Sequence, residues 1–505
     1  MDFQRPFGAA SNALDRFIDA LTDLKQRDHA VLAALLDYLL VWTLYGIIAK
    51  SNQDLHPDMT ELVAWSRDLA LGFSKHPPFA AIVVRGWFAL LPIANWSFYL
   101  LAMLTATCAL WIAWLQFTDY LDAKKSLVGL CLLTFIPFFN FHALKYNVNT
   151  VLIPLWAVTT FWFLRSYRTQ NATYAALAGI SAALCMVSKY WSIFLLAGLA
   201  LAAVSDFRRA SYFRSAAPWI TILTGITILS PHIGWLQKHE FSPFEYAMAV
   251  HGGHSMTEAL WADLRYLADA AAYVVMPVAL VLLLARPDLQ TIADIAWPAD
   301  ADRRLIAVAF WATLVLPVVP ALLLGIEIHG IWSMSSWTLL PIVLLSSPSI
   351  ELPQASIRWI AGLAVASPPL LLIAAPAVAV VHQLQGMPPE ITQTRMLAAR
   401  VENAWRNTTP KPLHYVGGNL AEGVLTYVRS RPELLPDFPQ WHSKRVAEAG
   451  IALVCYSDDA SCIASSREIA NENPQSRSVD TRLSRSFLGI AGQPQNYVIF
   501  IVPPI

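Results

Sequence analysis

Acidic, basic and imidazole side chains collect in residues 50–94, a polar segment between two long apolar runs. Asp54, Asp58 and Glu61 have carboxylates that can serve as a general base or as metal ligands. Lys75 and His76 follow in the same segment and can bind an anion. A charged group next to hydrocarbon costs roughly 2.5–3.5 kcal/mol on insertion scales, so such groups are functional candidates by default.

The same combination of residue types recurs in the later polar segments. Lysines on a face that is otherwise poor in basic residues suggest a bound anion, most simply a lipid phosphate at the interface. The histidines do not have the spacing of a known zinc motif, and solvated histidines are the alternative. Trp235 and Trp332 are either interface anchors or part of a cavity. The remaining candidates are Asn149, Lys189, Tyr190, His239, His251, His254, Glu327 and His329.

Membrane spans must position these residues. The 505 residues are 56% hydrophobic and only 14% charged, against roughly 25% charged in soluble proteins, which excludes a soluble enzyme. The 35 basic and 35 acidic residues balance, so there is no general attraction to nucleic acid. Apolar run lengths predict an all-α polytopic protein of about eleven spans: 29–49, 95–116, 125–143, 150–167, 172–188, 191–205, 217–236, 265–285, 305–326, 334–349 and 357–382.

Residues 383–505 differ from the rest, because they are rich in charge, Pro, Asn and Ser and contain no run long enough to span. We therefore expect a transmembrane domain over 1–382 and a soluble domain over 383–505. Strand-like runs at 413–416, 451–455 and 497–502, with a helical pattern at 420–429, predict a small α/β domain. Cys455 and Cys462 lie seven residues apart in it and form either a short-loop disulfide or two buried thiols.

Basic residues are more frequent in alternate loops, beginning with Arg5 and Arg16, which places the N-terminus in the cytoplasm. An odd number of spans then places residues 383–505 on the outer face, together with residues 50–94. The N-terminal segment, residues 2–28, is amphipathic and has no cleavable signal pattern.

Within the first outer segment, apolar residues at helical spacing predict an amphipathic helix over 58–71 that lies along the membrane surface and stops at Gly72. A second helix is predicted over 79–91. Asp58 is either a catalytic carboxylate or the N-cap of the first helix, with Glu61 three residues on. Lys75 and Lys189 either bind phosphate or extend toward the interface, and Asn149 is either a site residue or a helix cap.

The pattern of these segments resembles the family 39 glycosyltransferases, which have the GT-C fold and include protein mannosyltransferases and the lipid A aminoarabinose and galacturonic acid transferases. The family's first outer loop has an acidic pair, an amphipathic stretch, a Gly-aromatic pair and a (Lys/His)-Pro-Pro turn. The resemblance covers about residues 30–255. The matching positions are Asp58, Gly72, Phe73, Lys75, His76, Pro77, Pro78, residues 149–156, Ser188, Lys189, Tyr190, Ser230, Pro231, His232, Trp235, His239, Ser242 and Phe244.

The resemblance implies a sugar donor linked to a polyprenyl phosphate, and transfer with inversion on the outer face. Lys75, His76 and Lys189 then stabilise the leaving phosphate, and Asp58 accepts the proton of an attacking hydroxyl or orients a phosphate acceptor. Asp54, Glu61, Asn149, Tyr190, His239 and His251 are expected to bind substrate. Two positions depart from the family pattern: Met59 replaces the second acid of the pair, and Asn149 replaces an acid that can ligate a metal. A divalent cation is thus possible but not required.

Three functions follow as expectations. The first is transfer to an envelope glycolipid, lipid A or core sugar of lipopolysaccharide, in the inner membrane, with the galacturonic acid transferases as the most similar members. A protein O-mannosyltransferase is the alternative within the family. A transporter or flippase for a lipid-linked sugar is the alternative outside it, but that class predicts internal repeats and polar groups at mid-membrane, and neither is evident.

Overall fold

The structure is a computed structural model that describes residues 14–435 and 447–504. Residues 1–13, which include Arg5 and the start of the amphipathic N-terminal segment, lie outside the described part of the chain. By contacts the chain divides into two compact units. The first contains Met1–Thr43, Ala70–Ala80 and Leu100–Leu371, and the second contains Leu44–Leu69, Ala81–Tyr99 and Leu372–Ile505. The division at residue 382 stays a prediction, since these contacts join parts of the first outer segment to the C-terminal residues.

The structure is mainly helical. Its helices up to residue 251 are α1 (Arg27–Ala49), α2 (Pro57–Trp65), α3 (Phe79–Leu90), α4 (Asn95–Phe117), α5 (Ala123–Thr134), α6 (Val148–Thr169), α7 (Ala172–Met186), α8 (Ile193–Ser205), α9 (Arg209–Arg214), α10 (Ala217–Lys238) and α11 (Ser242–His251). Then follow α12 (Met256–Tyr273), α13 (Val275–Ala285), α14 (Leu289–Ala296), α15 (Ala301–Val315), α16 (Val318–Leu324), α17 (Leu340–Leu345), α18 (Gln354–Gln385), α19 (Thr394–Arg406), α20 (Ala421–Tyr427) and α21 (Ala460–Asn471). Three-residue 3₁₀ turns occupy Pro137–Phe139, Tyr190–Ser192 and Pro389–Ile391, and a longer 3₁₀ segment of 10 residues occupies Gly330–Leu339.

The helices confirm an all-α polytopic architecture. Within the described residues, six are long and apolar enough to cross a membrane, counting α15 and α16 together, and the pair α12 and α13, bent by 55°, brings the number to seven. Shorter apolar helices lie at Phe79–Leu90, Ala172–Met186, Tyr190–Ser205 and Gly330–Leu345. The predicted total of eleven therefore remains a prediction, because several of the expected spans form helices that are too short on their own.

In the first unit, α7 packs between α6 and α10, and α8 packs on α15. The contact of α7 with α10 includes an interhelical hydrogen bond, in which Thr221 Oγ1 donates to the carbonyl of Ala175 at 2.9 Å. Such bonds supplement van der Waals packing where hydrocarbon surrounds a helix and the hydrophobic effect between helices is weak.

Several arginines at helix ends of the first unit are paired with aspartates. Asp302 bridges Arg208, at 2.6 Å, and Arg168, at 3.5 Å, and Arg165 forms two hydrogen bonds with Asp119. These pairs connect helix ends that are far apart in the sequence.

The second unit contains the strand-bearing domain predicted for the C-terminal residues. Its strands are β1 (Tyr415–Gly417), β2 (Glu433–Leu434), β3 (Ile451–Tyr456), β4 (Arg477–Leu483), β5 (Ser486–Phe487), β6 (Ile490–Ala491) and β7 (Gln495–Val502). Five form one sheet in the order β2-β1-β3-β7-β4, in which β1 is parallel to both β2 and β3, and β7 is antiparallel to β3 and β4. The three predicted strands and the helix between the first two are confirmed. A disulfide joins Cys455 and Cys462, so the alternative of two free thiols is wrong.

The first outer segment supplies α2 to this unit, and here the expectation needs two corrections. The helix ends at Trp65, not at residue 71, and residues 66–72 are not helical. Its apolar face is covered by protein and not by lipid: Leu62 and Val63 are buried, and Ala64 belongs to the core cluster that contains Val401 and Val424. An amphipathic pattern shows that one face is buried, but it does not show what covers that face.

Candidate functional site

Lys189 lies in the first unit, between the end of α7 and the turn Tyr190–Ser192. Its ammonium donates a hydrogen bond to Asn149 Oδ1 at 2.6 Å and lies 4.7 Å from the centre of the Trp332 ring. Asn149 is in the first turn of α6, but it does not cap that helix. Asn147 does so, accepting from the backbone N–H groups of Asn149 and Thr150. The cap interpretation of Asn149 is therefore wrong, and its side chain positions a lysine.

A group of aromatic and imidazole rings surrounds the face of Trp332. The rings of His251 and His329 meet it edge-on, with centroids at 5.1 and 5.3 Å, and they lie 5.7 Å from each other. Two backbone hydrogen bonds bring their segments together, from Glu327 N–H to the carbonyl of His251 and from His254 N–H to the carbonyl of Gly325. The two hydrogen bonds thereby hold two segments about 75 residues apart in sequence in one cluster.

This cluster is electropositive. The pKa of His251 lies below its ordinary value, because burial disfavours its charged form and because His329, Lys189 and Lys75 repel a further positive charge. Glu327 opposes this effect. His251 is consequently neutral at pH 7, and the lysines supply the positive charge. Lys75 also lies 5.8 Å from the centre of the Tyr246 ring. We call Lys75, Lys189, His251, His329 and Trp332 the cationic cluster.

A second chain of contacts includes Tyr190. Its hydroxyl lies 3.0 Å from His232 Nε2, and His232 Nδ1 lies 2.7 Å from the carbonyl oxygen of Leu71. Since a carbonyl only accepts, Nδ1 carries the proton, and in the neutral ring Nε2 accepts from Tyr190. The His232 ring stacks on Trp235.

Gly72 lies against that tryptophan. A Cβ at Gly72 would clash with carbons of the Trp235 ring, so the close approach of residues 70–80 to α10 requires glycine. The His239 ring also stacks on Trp235, with centroids 4.2 Å apart, and its Nδ1 lies 2.8 Å from the carbonyl oxygen of Trp235. His239 is thus held at the end of α10, and its substrate role remains a prediction. His76 lies in the same 70–80 segment, where its carbonyl accepts from Phe73 N–H.

The three acids of the first outer segment lie in the second unit. The side chain of Asp54 is fully buried. It accepts from Arg485 Nη1 at 2.9 Å and from the backbone N–H of Arg395 at 3.0 Å, with the Arg395 guanidinium at 3.8 Å. Both carboxylate oxygens are therefore engaged in joining residue 54 to the C-terminal residues. This arrangement gives Asp54 a clear structural role, while the substrate-binding role remains a prediction.

Asp58 and Glu61 lie one turn apart on α2, and both are half-buried. The N-cap of α2 is His56, whose Nδ1 accepts from Asp58 N–H at 3.2 Å. The N-cap interpretation of Asp58 is therefore wrong. His56 Nδ1 also lies 3.4 Å from an Asp58 carboxylate oxygen. The hydrogen bond needs an unprotonated Nδ1 and the ion pair a protonated one, so the two do not occur together.

Within residues 14–435 and 447–504, no group of three or more His, Cys, Asp or Glu side chains is arranged to hold a metal ion. If the reaction needs a divalent cation, the described residues do not indicate which side chains would bind it.

Comparisons with known proteins agree with this architecture. Residues 75–235 match the family model described as dolichyl-phosphate-mannose-protein mannosyltransferase. Among solved structures, ArnT from Cupriavidus metallidurans bound to undecaprenyl phosphate matches with a TM-score of 0.59 and 12% identity, over 93% of this chain and 97% of that one. The apo form of the same protein matches with a TM-score of 0.59 and 10% identity, over the same shares. None of the curated proteins matches this sequence.

This chain has the GT-C fold. The fold inferred from the family resemblance is confirmed, and the apolar helices together with the fold make this a multi-pass membrane protein. The family model begins at Lys75 and ends at Trp235, so it includes Asn149 and Lys189 of the site described above. The description of that family model is a mannosyltransferase, whereas the solved structures show the fold.

Some site residues were not evident from the sequence. Tyr246, the aromatic neighbour of Lys75, has no motif around it. Arg395 and Arg485 lie 341 and 431 residues from Asp54, and in the sequence they look like ordinary basic residues of a polar domain. His329 and Trp332 were candidates by position alone, and only the backbone pairing of residues 251–254 with 325–327 explains their place in the cluster.

Proposed function

We propose that this protein is a membrane glycosyltransferase that moves a sugar from a polyprenyl-phosphate donor to an envelope glycolipid acceptor. The observation that carries the proposal is the cationic cluster, in which Lys189 and Lys75 create a positive potential beside aromatic rings. A phosphate that leaves with the electron pair of the glycosidic bond needs such fixed positive charge more than it needs a proton. The undecaprenyl phosphate named in the related ArnT structure supports this class of donor.

In the proposed reaction, an acceptor hydroxyl oxygen attacks the anomeric carbon from the face opposite the phosphate. The new C–O bond forms as the bond from carbon to phosphate oxygen breaks, so configuration inverts and the polyprenyl phosphate leaves as an anion. Lys189, held by Asn149 and Trp332, and Lys75 stabilise the charge that develops on this phosphate. His251 is neutral at pH 7, so in this proposal it donates a hydrogen bond to the leaving phosphate without adding a positive charge beside the lysines.

Asp58 is the proposed acceptor of the hydroxyl proton, with Glu61 one turn further along α2. This assignment rests on the match of Asp58 to the family's acid. Asp58 lies in the first turn of α2, where the helix dipole favours a negative charge. If the acceptor is a phosphate oxygen, no base is needed and Asp58 orients the acceptor.

The experiment reconstitutes the full-length protein in liposomes with a pool of polyprenyl-phosphate sugars and extracted envelope lipids. Mass spectrometry then records transfer by the wild type, by Asp58→Asn and by Asp68→Asn, an exposed aspartate of the same segment. We expect transfer that is lost in Asp58→Asn and retained in Asp68→Asn, and the product mass identifies sugar and acceptor. Movement of lipid-linked sugar across the bilayer without transfer would instead establish a flippase.

A protein mannosyltransferase is the second candidate, favoured by the description of the family model that matches residues 75–235. Replacing the envelope lipids by unstructured Ser/Thr-rich peptides distinguishes the two. Our proposal requires that glycolipids accept the sugar and that the peptides do not.

The proposed setting is the outer face of the inner membrane. Protease accessibility of residues 383–505 in oriented vesicles tests this placement directly.

A further inference from the structure

A crevice lies at one edge of the five-stranded sheet in the second unit. The neighbouring strands β1 and β3 are parallel, and their chains leave in opposite directions: β1 continues through α20 to β2, and β3 continues through α21 to β4. In open sheets, ligands bind in the crevice outside the carboxyl ends of two such strands, where the strand order reverses.

The crevice has a volume of about 450 Å³, within the range of small-molecule sites. Asn419 and Leu420 follow β1, Tyr456 and Asp458 lie at and after the end of β3, and Gln495 begins β7. Pro57 of α2 and residues Pro389 and Glu390 complete the wall.

The loop that follows β1 is held in place. Gly418 has a φ of 90°, and a Cβ there would overlap the backbone of Val454, so the sharp turn requires glycine. The turn presents Asn419, whose amide donates to Asp459 Oδ2 at 2.7 Å. Asp459 in turn caps α21 by accepting from the backbone N–H of Cys462. The two loops are thus fixed to each other before any ligand binds, which lowers the entropy cost of binding.

The chemistry of the wall selects a class of ligand. Asp458 and Glu390 offer carboxylate oxygens, and Asn419 and Gln495 offer amides that both donate and accept. Tyr456 presents a ring and donates its hydroxyl to Glu390 at 3.4 Å. Planar carboxylates and amides bind pairs of adjacent hydroxyls. Among the described residues, none of those that line the crevice is Lys or Arg, so phosphate and carboxylate ligands are repelled.

We propose that this crevice is a saccharide-binding site that takes a neutral or amino sugar. Its hydroxyls donate to Asp458 and to the amides, and one face of its ring packs on Tyr456 and Leu420. That the sugar belongs to the acceptor glycan rests on the proposed function, whereas saccharide binding itself does not.

The test uses the full-length protein in detergent micelles and saturation-transfer-difference NMR. The probes are glucosamine, galactose and mannose, with galacturonic acid and inorganic phosphate as anionic comparisons, the last observed by ³¹P line broadening. The variants are Asp458→Ala and Gln495→Ala in the crevice, and Asp480→Ala on β4, an exposed aspartate of the same sheet outside the crevice. Equal melting temperatures establish that each variant is folded.

We expect the wild type and Asp480→Ala to bind at least one of the three sugars and neither anion. Asp458→Ala should lose about tenfold in affinity, the value of one hydrogen bond to a charged group, and Gln495→Ala several-fold. The proposal is overturned if the wild type binds none of the sugars, if both crevice variants bind as the wild type does, or if the anions bind equally well. Sugar binding without transfer contradicts the proposed function alone, and transfer without sugar binding contradicts the crevice alone.

Discussion

Replacing Lys189 by alanine removes a positive charge that is held in a fixed position by Asn149 and Trp332. The ammonium is 2.6 Å from the asparagine oxygen and 4.7 Å from the ring centre, so it has little freedom to move when the phosphate arrives. Two unit charges 4 Å apart interact by about 4 kcal/mol at an effective dielectric constant of 20. Allowing for partial replacement of the lysine by water, we expect a loss of about 2–4 kcal/mol of transition-state stabilisation, or roughly 30- to 1,000-fold in kcat/KM.

The assay measures initial rates of sugar transfer in liposomes at several donor concentrations. Lys189→Arg keeps the charge but alters its geometry, so it should recover most of the loss while remaining below wild type. Lys238→Ala is the matched control, since it removes an exposed lysine at the end of α10 in the same unit. Activity of Lys189→Ala within twofold of wild type would refute the reasoning, as would an equal loss in Lys238→Ala.

Three further predictions follow from the contacts. Asn149→Asp adds a negative charge beside Lys189, so the KM for the donor should rise about tenfold or more in the same assay, and an unchanged KM would contradict the role of that lysine. Asp54→Asn weakens a buried pair and should destabilise the protein by about 3 kcal/mol, seen as a lower melting temperature than in Asp480→Asn. The double variant of Cys455 and Cys462 to serine should lose about 2–3 kcal/mol by loop closure, and a wild-type protein that melts equally with and without reductant would contradict this.

Elements of the fold were predictable from the sequence where the pattern that indicates them lies within a few neighbouring residues. The strands at 413–416, 451–455 and 497–502 were predictable because alternation and turn residues are local features. Strand β4 (Arg477–Leu483) was missed, since it is a largely exposed strand at the sheet edge and its side chains are mostly polar. Helix α19 (Thr394–Arg406) was missed although it is amphipathic, because its high charge resembled that of a loop. The number of spans was harder still, because short apolar helices and bent pairs do not have a fixed length.

For Lys75 and Lys189, residue type and family pattern agreed, and the structure places both near His251, while their donor role stays a prediction. Interaction partners that come from distant parts of the sequence were not predictable. Asp54 was proposed as a substrate ligand because an acid in an outer loop is costly unless it has a function. The structure gives another explanation: two arginines from the C-terminal residues compensate its charge. A charge count along the sequence cannot distinguish these cases, because the energy of a buried carboxylate depends on which cations fold against it.

Asn149 stands where the family pattern has an acid, and the structure shows what this difference changes beside Lys189. In the sequence, an amide in place of an acid argued only against metal binding. In the structure, the same amide accepts a hydrogen bond from Lys189, as a carboxylate would, but it does so without neutralising the ammonium. The hydrogen bond to the lysine is kept without an added negative charge at residue 149. Because electrostatic stabilisation depends on net charge as well as on position, we expect the proposed phosphate site to stabilise an anion more strongly with Asn149 than with an aspartate at this position.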